Sequence, residues 1–338
     1  MSAVKPYPLQ FIPVMQQYLW GGWKLRDLYR KGSGAGTWAE SWEVVDHAKA
    51  QSIVRHGPLH GWSLQQVMAA WGPQLVGQRV WEEIHRPEIP ESLRGRFPLL
   101  LKFLDARLDL SVQVHPNDRQ AALLDPPDLG KSEAWIVLQA DPGARIYAGT
   151  KPNVSRKEFQ AALAAGSVAD CLHSFEPTIG DCVYIPAGTP HAIGAGLVIA
   201  EIQQASDTTY RVYDWNRVDA AGIPRPLHAQ QALEVIDFQR GPVQPQSATI
   251  AEATRVPVLN TPFFSISRWI GPLQIELETD DRFRILAVVR GRATWFEAGR
   301  EIVMGAGDTL LIPAQCPPGF LRIDDNSEAL EFTAGRLD

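Results

Sequence analysis

Three short segments gather residue types that bind metal ions and stabilise developing negative charge. In Ser111-Val112-Gln113-Val114-His115-Pro116, an extended backbone places Ser111, Gln113 and His115 on one face and Val112 and Val114 on the other. Two donors at i and i+2 of a strand can reach a single ion. The second segment, Lys131-Ser132-Glu133-Ala134-Trp135-Ile136-Val137-Leu138, puts Lys131 and Glu133 on a common face at the start of an apolar strand. In the third, Gly180-x5-Pro186-x-Gly188-x-x-His191, a strand feeds a Pro/Gly turn that returns a histidine toward the interior. Two imidazoles (His115, His191), the Glu133 carboxylate and the Gln113 amide oxygen together suit Zn²⁺, and Mn²⁺ or Fe²⁺ tolerate the same donors. With a divalent ion bound, a net charge of about +1 remains to attract an oxyanion.

Taken singly, each residue has an ordinary reading. A lone histidine is usually a hydrogen-bonded side chain, and an isolated Gln113 or Glu133 would be a solvated strand residue. The combination argues for chemistry, because every member sits on an expected strand or at the turn between two. Downstream, Glu201 to Trp215 is unusually polar for a run that begins on an apolar strand. Asp207 and Arg211 lie four residues apart within it, where a turn could pair them as a surface ion pair of small energetic consequence. Alternatively, the planar fork of Arg211 holds an anionic substrate or transition state. Continuity with the strand after the His191 turn favours the second reading. Cys171 and Cys182 read as small hydrophobes, and His47, His56, His60 and His173 lack comparable settings.

The elements that must position these groups read as mainly β. Short apolar runs rich in β-branched residues, such as Leu108 to Val114, Cys182 to Ile185, Leu197 to Ile202 and Phe283 to Val289, are bounded by Gly, Pro, Asp or Asn. Helices interrupt them. Ser63 with Gln66 and Ser155 with Glu158 form capping boxes, the first helix ending at Gly72-Pro73 and the second at Gly166. A third helix from about His228 places Leu233 and Ile236 on one face. Residues 241–258 carry Gly241, Pro242, Pro245, Ser247 and Pro257 and read as a linker. The frame G-D-x-x-x-I-P occurs at Gly180–Pro186 and again at Gly307–Pro313, which suggests duplication of one β-barrel unit. The expected division is 1–240, a metal-binding catalytic unit with helical insertions, then the linker, then 259–338.

Bulk properties exclude other classes. A net charge of -6 over 338 residues argues against a general nucleic-acid binder. No run approaches the roughly 20 apolar residues of a membrane helix, and Pro6, Pro8 and Pro13 interrupt the N-terminal segment where a secretion signal would be apolar. Three cysteines, Cys171, Cys182 and Cys316, show no C-x-x-C spacing. A cytoplasmic setting is the expectation.

The Gly180–His191 block resembles the second metal-binding motif of the cupin superfamily, with Ala195 where the usual asparagine stands. Gln113-x-His115 replaces the more common H-x-H of the first motif. That departure, with S-x-Q-x-H-P, K-x-E-x-W, P-A-G-T-x-H-A, Trp20-Gly21-Gly22 and Ala39-Glu40-Ser41-Trp42-Glu43, resembles the type I mannose-6-phosphate isomerases, in particular the shorter bacterial members. The resemblance covers most of residues 7 to 217. It implies two cupin (jelly-roll-like) β-barrels, one Zn²⁺ per chain held by Gln113, His115, Glu133 and His191, an active-site lysine at Lys131 and a catalytic arginine at Arg211. In the second barrel Pro318 stands where the histidine would be and Gln315 replaces a glycine, so that barrel is expected to be metal-free.

The implied reaction interconverts D-mannose 6-phosphate and D-fructose 6-phosphate through a cis-enediol. Zn²⁺ and Arg211 would stabilise the enediolate, while Lys131, Asp207 or a metal-bound water would move the proton. Ser111, Lys131 and Arg211 are candidates for holding the substrate. The competing readings are an isomerase of an unphosphorylated sugar such as mannose and a non-catalytic sugar-binding cupin that keeps its metal. Retention of Lys131 and Arg211 argues against the latter, and a donor set with only two histidines argues against a cupin oxygenase.

Overall fold

The computed structural model describes residues 4–218, 221–246, 254–277, 280–297 and 299–335. The chain begins with β1 (Phe11–Ile12), β2 (Val14–Gln16), α1 (Lys24–Tyr29) and β3 (Glu40–Val44). β4 (Asp46–His47) pairs with β5 (Ala50–Gln51), and β6 (Ile53–Val54) returns to β1. Helices α2 (Leu64–Trp71), α3 (Pro73–Val76) and α4 (Gln78–Glu83) precede β7 (Leu99–Ala106) and β8 (Val112–Val114). After α5 (Asp118–Ala121) come β9 (Glu133–Ala140), β10 (Ile146–Thr150), α6 (Arg156–Ala165), β11 (Leu172–Phe175) and β12 (Cys182–Ile185). β13 (His191–Ile193), β14 (Leu197–Gln204), β15 (Tyr210–Tyr213) and α7 (Ala229–Val235) complete this half.

The regular elements among the described residues of the second half are all strands: β16 (Arg255–Asn260), β17 (Phe264–Ile270), β18 (Leu273–Leu277), β19 (Arg284–Arg290) and β20 (Arg292–Glu297). It ends with β21 (Arg300–Gly305), β22 (Thr309–Ile312), β23 (Gly319–Ile323) and β24 (Glu328–Ala334). The molecule is mainly β, as the punctuation of the sequence predicts.

Two antiparallel sheets enclose the first barrel: six strands in the order β12-β9-β14-β7-β3-β2 and five in the order β11-β10-β13-β8-β15. Period-two alternation sorts their side chains. On β9, Trp135 and Val137 face the barrel interior with Leu104, Ile199, Ile146 and Ile193. Ala134, Ile136 and Leu138 face the other way. That outer face does not meet water. It packs through Leu101, Phe103, Ala200 and Ile202 against Phe264, Ile266, Ile285, Leu311 and Phe332 of the sheet β16-β17-β24-β19-β22. A four-stranded sheet, β18-β23-β20-β21, closes the second barrel around Trp269, Leu286, Trp295 and Leu321.

Both expected capping boxes form, and Asn117 with Gln120 makes a third at α5. Phe159 of α6 and Ala232 and Leu233 of α7 cover Val112, Val114, Ala192 and Val212, the outer face of the five-stranded sheet. The repeated G-D-x-x-x-I-P frame has one geometry in both halves. Gly180 (φ 95°) and Gly307 (φ 93°) take a backbone conformation that suits glycine. Their amides donate to Val137 O and Val288 O, each at 2.8 Å. Asp181 caps the Thr178 amide at 2.8 Å, as Asp308 caps that of Gly305 at 2.8 Å.

The stretch expected to be a linker is not a free connection. Val243 donates to Ala148 O at 3.1 Å, and Gln246 exchanges two backbone hydrogen bonds with Cys182, so 242–246 ties the two sheets of the first barrel together. β16 already begins at Arg255, inside 241–258; residues 247–253 lie outside the described ones. The N-terminus likewise crosses between halves, because Leu9 exchanges backbone hydrogen bonds with Leu311 of β22. Short-range patterning carries no signal for such pairings.

Because one core serves both halves, Phe264→Ala, which empties a fully buried position, is expected to cost about 3–5 kcal/mol. Denaturant unfolding followed by tryptophan fluorescence and by circular dichroism should show a single coincident transition shifted to lower denaturant. Two separated transitions would contradict a shared core.

Candidate metal centre

One row across the five-stranded sheet carries Ala148, His191, Gln113 and Arg211 as direct neighbours in register. Directly opposed residues of a ladder point to the same face, and Val112, Val114, Ala192 and Val212 occupy the opposite, helix-covered face. His191, Gln113 and Arg211 therefore turn inward. From the six-stranded sheet Glu133 meets them, at the end of β9 beyond the apolar layers of Trp135 and Val137. His115 follows β8 directly and is 1% exposed.

The loops are laced together at this point. Gly188, with φ 85°, donates its amide to His115 O at 2.9 Å, which explains the glycine of the P-x-G-x-x-H turn. Lys131 donates to Pro116 O at 3.0 Å, Ser132 Oγ accepts from the Ala187 amide at 3.2 Å, and Gln204 Oε1 accepts from the Ser132 amide at 2.9 Å.

Potential ligand atoms of His115, Glu133 and His191 all lie within 4.8 Å of one another, and all three residues are buried. Each imidazole hydrogen-bonds a backbone carbonyl through Nδ1: His115 to Thr208 O at 2.9 Å and His191 to Thr189 O at 2.8 Å. A carbonyl only accepts, so Nδ1 carries the proton and Nε2 keeps a lone pair directed inward. His191 Nε2 stands 3.2 Å from Glu133 Oε1, and neither atom has a hydrogen-bond partner. Burial holds the His191 imidazole neutral by pushing its pKa down to about 3. Burial, with the Lys131 ammonium beside it, also lowers that of His115. Burial alone would raise the Glu133 pKa, but Lys131, His115 and His191 together hold it well below the usual carboxylate range. Two lone pairs thus face each other in a dry site with no proton between them, an arrangement that a cation satisfies. These donors fit a divalent metal ion.

Lys131, 3% exposed, donates to Glu133 Oε2 and to His115 Nε2, the latter at 3.0 Å. Gln113 sits beside His191 in register. Ser111 is buried at the entry to β8. Asp207 and Arg211, in contrast, do not pair. Asp207 takes the Lys49 ammonium at 2.7 Å, while Arg211 Nη1 donates to Pro226 O at 3.0 Å and its Nε is buried without a partner. Burial would raise the Asp207 pKa, but the Lys49 hydrogen bond and the nearby Lys102 and Lys131 charges lower it on balance.

Sequence reasoning missed the ionic layer beneath the centre. Trp42, Lys102, Glu201 and Trp135 form one row across the six-stranded sheet. Lys102 Nζ lies 3.1 Å from Glu201 Oε1, and Trp135 donates to Glu201 Oε2 at 3.0 Å. Glu201 also stands 3.8 Å from Lys131, so the layer joins the centre. The available signal was a charge embedded within each of two largely apolar strands, Lys102 in Leu99–Ala106 and Glu201 in Leu197–Gln204.

The neutral imidazoles set the acid behaviour of the metal-free protein. An unfolded histidine takes up a proton near pH 6.5, whereas folded His191 does so only at about 3. Stability is therefore full above about pH 6.5 and falls as the pH drops toward 3, by on the order of 1 kcal/mol per pH unit for this group. Glu133, whose folded pKa is also depressed, adds a loss in the same direction at lower pH. Denaturant unfolding in the presence of chelator should show this slope, and His191→Asn should make it shallower. Flat stability between pH 4 and 7 would contradict the neutral assignment.

The site's parentage follows from comparison with known proteins. A family model described as phosphomannose isomerase type I, catalytic domain, matches residues 9–133. A probable mannose-6-phosphate isomerase of Bacillus subtilis, GmuF, is 34% identical over 311 residues, covering 91% of this chain and 94% of the relative. The crystal structure of the mannose 6-phosphate isomerase from Bacillus subtilis superposes with a TM-score of 0.81 at 28% identity, over 96% of this chain and 99% of that one. A zinc-bound mannose 6-phosphate isomerase structure shares the fold at 16% identity, with a TM-score of 0.74 over 98% of this chain and 100% of that one. With this extent of similarity along nearly the whole chain, the protein belongs to the type I mannose-6-phosphate isomerase family.

Proposed function

We propose that the first barrel binds one divalent ion, Zn²⁺ in preference to Mn²⁺ or Fe²⁺, through Gln113, His115, Glu133 and His191. There it interconverts D-mannose 6-phosphate and D-fructose 6-phosphate through a cis-enediol. The observation that carries this reading is the His191 Nε2–Glu133 Oε1 pair, two buried acceptors 3.2 Å apart. Bound there, the ion supplies Lewis-acid stabilisation of an enediolate oxygen.

The chain's own side chains do the rest. Arg211 turns inward beside Gln113 and donates to substrate oxygens as negative charge develops on them. Lys131 donates from beside Glu133 and, with Ser111 and Arg211, orients the sugar phosphate. Moving the proton between C2 and C1 falls to Lys131 or Asp207. Lys131 touches the ligand atoms directly, whereas Asp207 is held by Lys49.

Residues 1–240 form the catalytic unit in this scheme, 241–258 join the halves and 259–338 give support. By register Ile312 faces Arg284 as Ile185 faces Glu133, so a cation occupies the second barrel's counterpart of the Glu133 position. The free thiols of Cys171 and Cys182 and the absence of any helix long and apolar enough to cross a membrane among the described residues accord with a cytoplasmic enzyme.

Elemental analysis and kinetics separate the roles. His115→Ala and His191→Ala are expected to lose bound metal and turnover together. Arg211→Ala should retain the metal and lose about 10²–10³-fold in kcat. The group that carries the proton is the one, Lys131→Met or Asp207→Asn, whose removal stops exchange of the C2 hydrogen with solvent.

A coupled assay should show turnover of mannose 6-phosphate that chelation abolishes and Zn²⁺ restores. Preference for unphosphorylated mannose would refute the substrate assignment, and full activity of metal-stripped protein would refute the mechanism.

A further inference from the structure

The two imidazoles of the centre are held in different ways. His191 Nδ1 bonds the carbonyl of Thr189, two residues away on the same turn, so local chain geometry suffices. His115 Nδ1 bonds the carbonyl of Thr208, 93 residues away, and that carbonyl needs fixing by other means. The fixing group is a carboxylate outside the centre. Asp128 Oδ2 accepts from Thr208 Oγ1 at 2.7 Å and from Ser206 Oγ at 2.9 Å, while its Oδ1 accepts from the Leu129 amide at 2.9 Å. The Thr208 amide donates in turn to Ser206 Oγ at 3.2 Å. Arg96 Nη1, 4.0 Å from Asp128 Oδ1, is its nearest charged partner.

We propose that Asp128 is a positioning residue of the metal centre, acting on His115 through Ser206 and Thr208. The proposal rests on the reading of His115 as a metal ligand. A free hydroxyl rotates, but an ionised acceptor commits the protons of both Ser206 and Thr208 through charge-assisted bonds. With its side chain and amide tied, Thr208 presents its carbonyl in one direction. His115 therefore keeps its proton on Nδ1, and its Nε2 lone pair faces Glu133 at 3.4 Å. Groups that hold the far nitrogen of a ligating histidine in this way typically matter 10–100-fold for affinity. Asp128 also joins the segment between His115 and Glu133 to the turn that leads to Arg211.

The test is titration of metal-free protein with Zn²⁺ against a competing chelator, with circular dichroism establishing that each metal-free variant is folded. Asp128→Ala should weaken Zn²⁺ binding by about 10–100-fold. Thr208→Val keeps the carbonyl but loses the hydroxyl, and should lose part of that. Combining the two should cost no more than Asp128→Ala alone, because they act on one linkage. ¹⁵N and ¹H shifts of the His115 ring in metal-free protein should report an Nδ1–H tautomer in the wild type and a weakened Nδ1–H hydrogen bond in Asp128→Ala. Wild-type affinity in Asp128→Ala, or losses that simply add, would overturn the proposal. If Asp128→Ala does not fold, Thr208→Val and Ser206→Ala decide it: both at wild-type affinity overturns it, and weakened binding in Thr208→Val upholds it. A wild type that binds no more Zn²⁺ than His115→Ala refutes the metal reading itself and the positioning role with it.

Discussion

A neutral imidazole nitrogen and a carboxylate oxygen, both stripped of water and 3.2 Å apart, repel unless something positive lies between or beside them. Much of the first barrel is arranged around that requirement. Backbone carbonyls decide which ring nitrogen carries the proton, Lys131 supplies a cation on one side, and the Gly188 turn is fastened to His115 so that the two imidazoles approach. Beneath them, Lys102 and Glu201 neutralise each other between two tryptophans. Burial would push the Lys102 pKa down, but the surrounding carboxylates, Glu201 foremost, push it up. The barrel floor is apolar, its middle layer internally paired, and its upper layer left with unsatisfied acceptors.

The proposed ligands were legible in the sequence because strand periodicity is local. Gln113 and His115 needed only alternation, and the glycine of the P-x-G-x-x-H turn announces a sharp reversal. Capping boxes and the repeated G-D-x-x-x-I-P turn are local as well, and they appear where their spacing implied. The ion pair of Lys102 with Glu201 depends on register between strands a hundred residues apart, which no window of sequence contains. Asp207 and Arg211 do not form the surface pair that their four-residue spacing allows and that the sequence reading disfavoured, because a lysine from a distant hairpin takes the carboxylate and a carbonyl takes the guanidinium. Competition of this kind is decided by tertiary structure. The composition of residues 241–258 suggested a linker, whereas the hydrogen bonds of its described part to Ala148 and Cys182 and the strand that begins at Arg255 depend on the assembled barrels.

The fold also explains why some strands read as continuous apolar runs. β7 and β14 are buried along their whole length because the six-stranded sheet is covered on both sides. A sheet of this kind does not show the in-out alternation of a sheet with one wet face. A buried ion pair, Lys31 with Glu43 at 2.8 Å, adds a polar tie at the seam, since Thr309 of the second half donates to the same carboxylate at 3.1 Å.

That doubly covered sheet determines how the chain can be divided. A fragment ending before Arg255 would hold every proposed ligand, yet would lose Phe264, Ile266, Ile285, Leu311 and Phe332, which share one core with Leu101, Ile136, Ala200 and Ile202. Strands that position the proposed ligands on one side would lose part of their cover on the other, and self-association would compete with folding. The first half is thus not a portable module. In this architecture the second half acts as a permanent intramolecular chaperone for the sheet that carries Glu133.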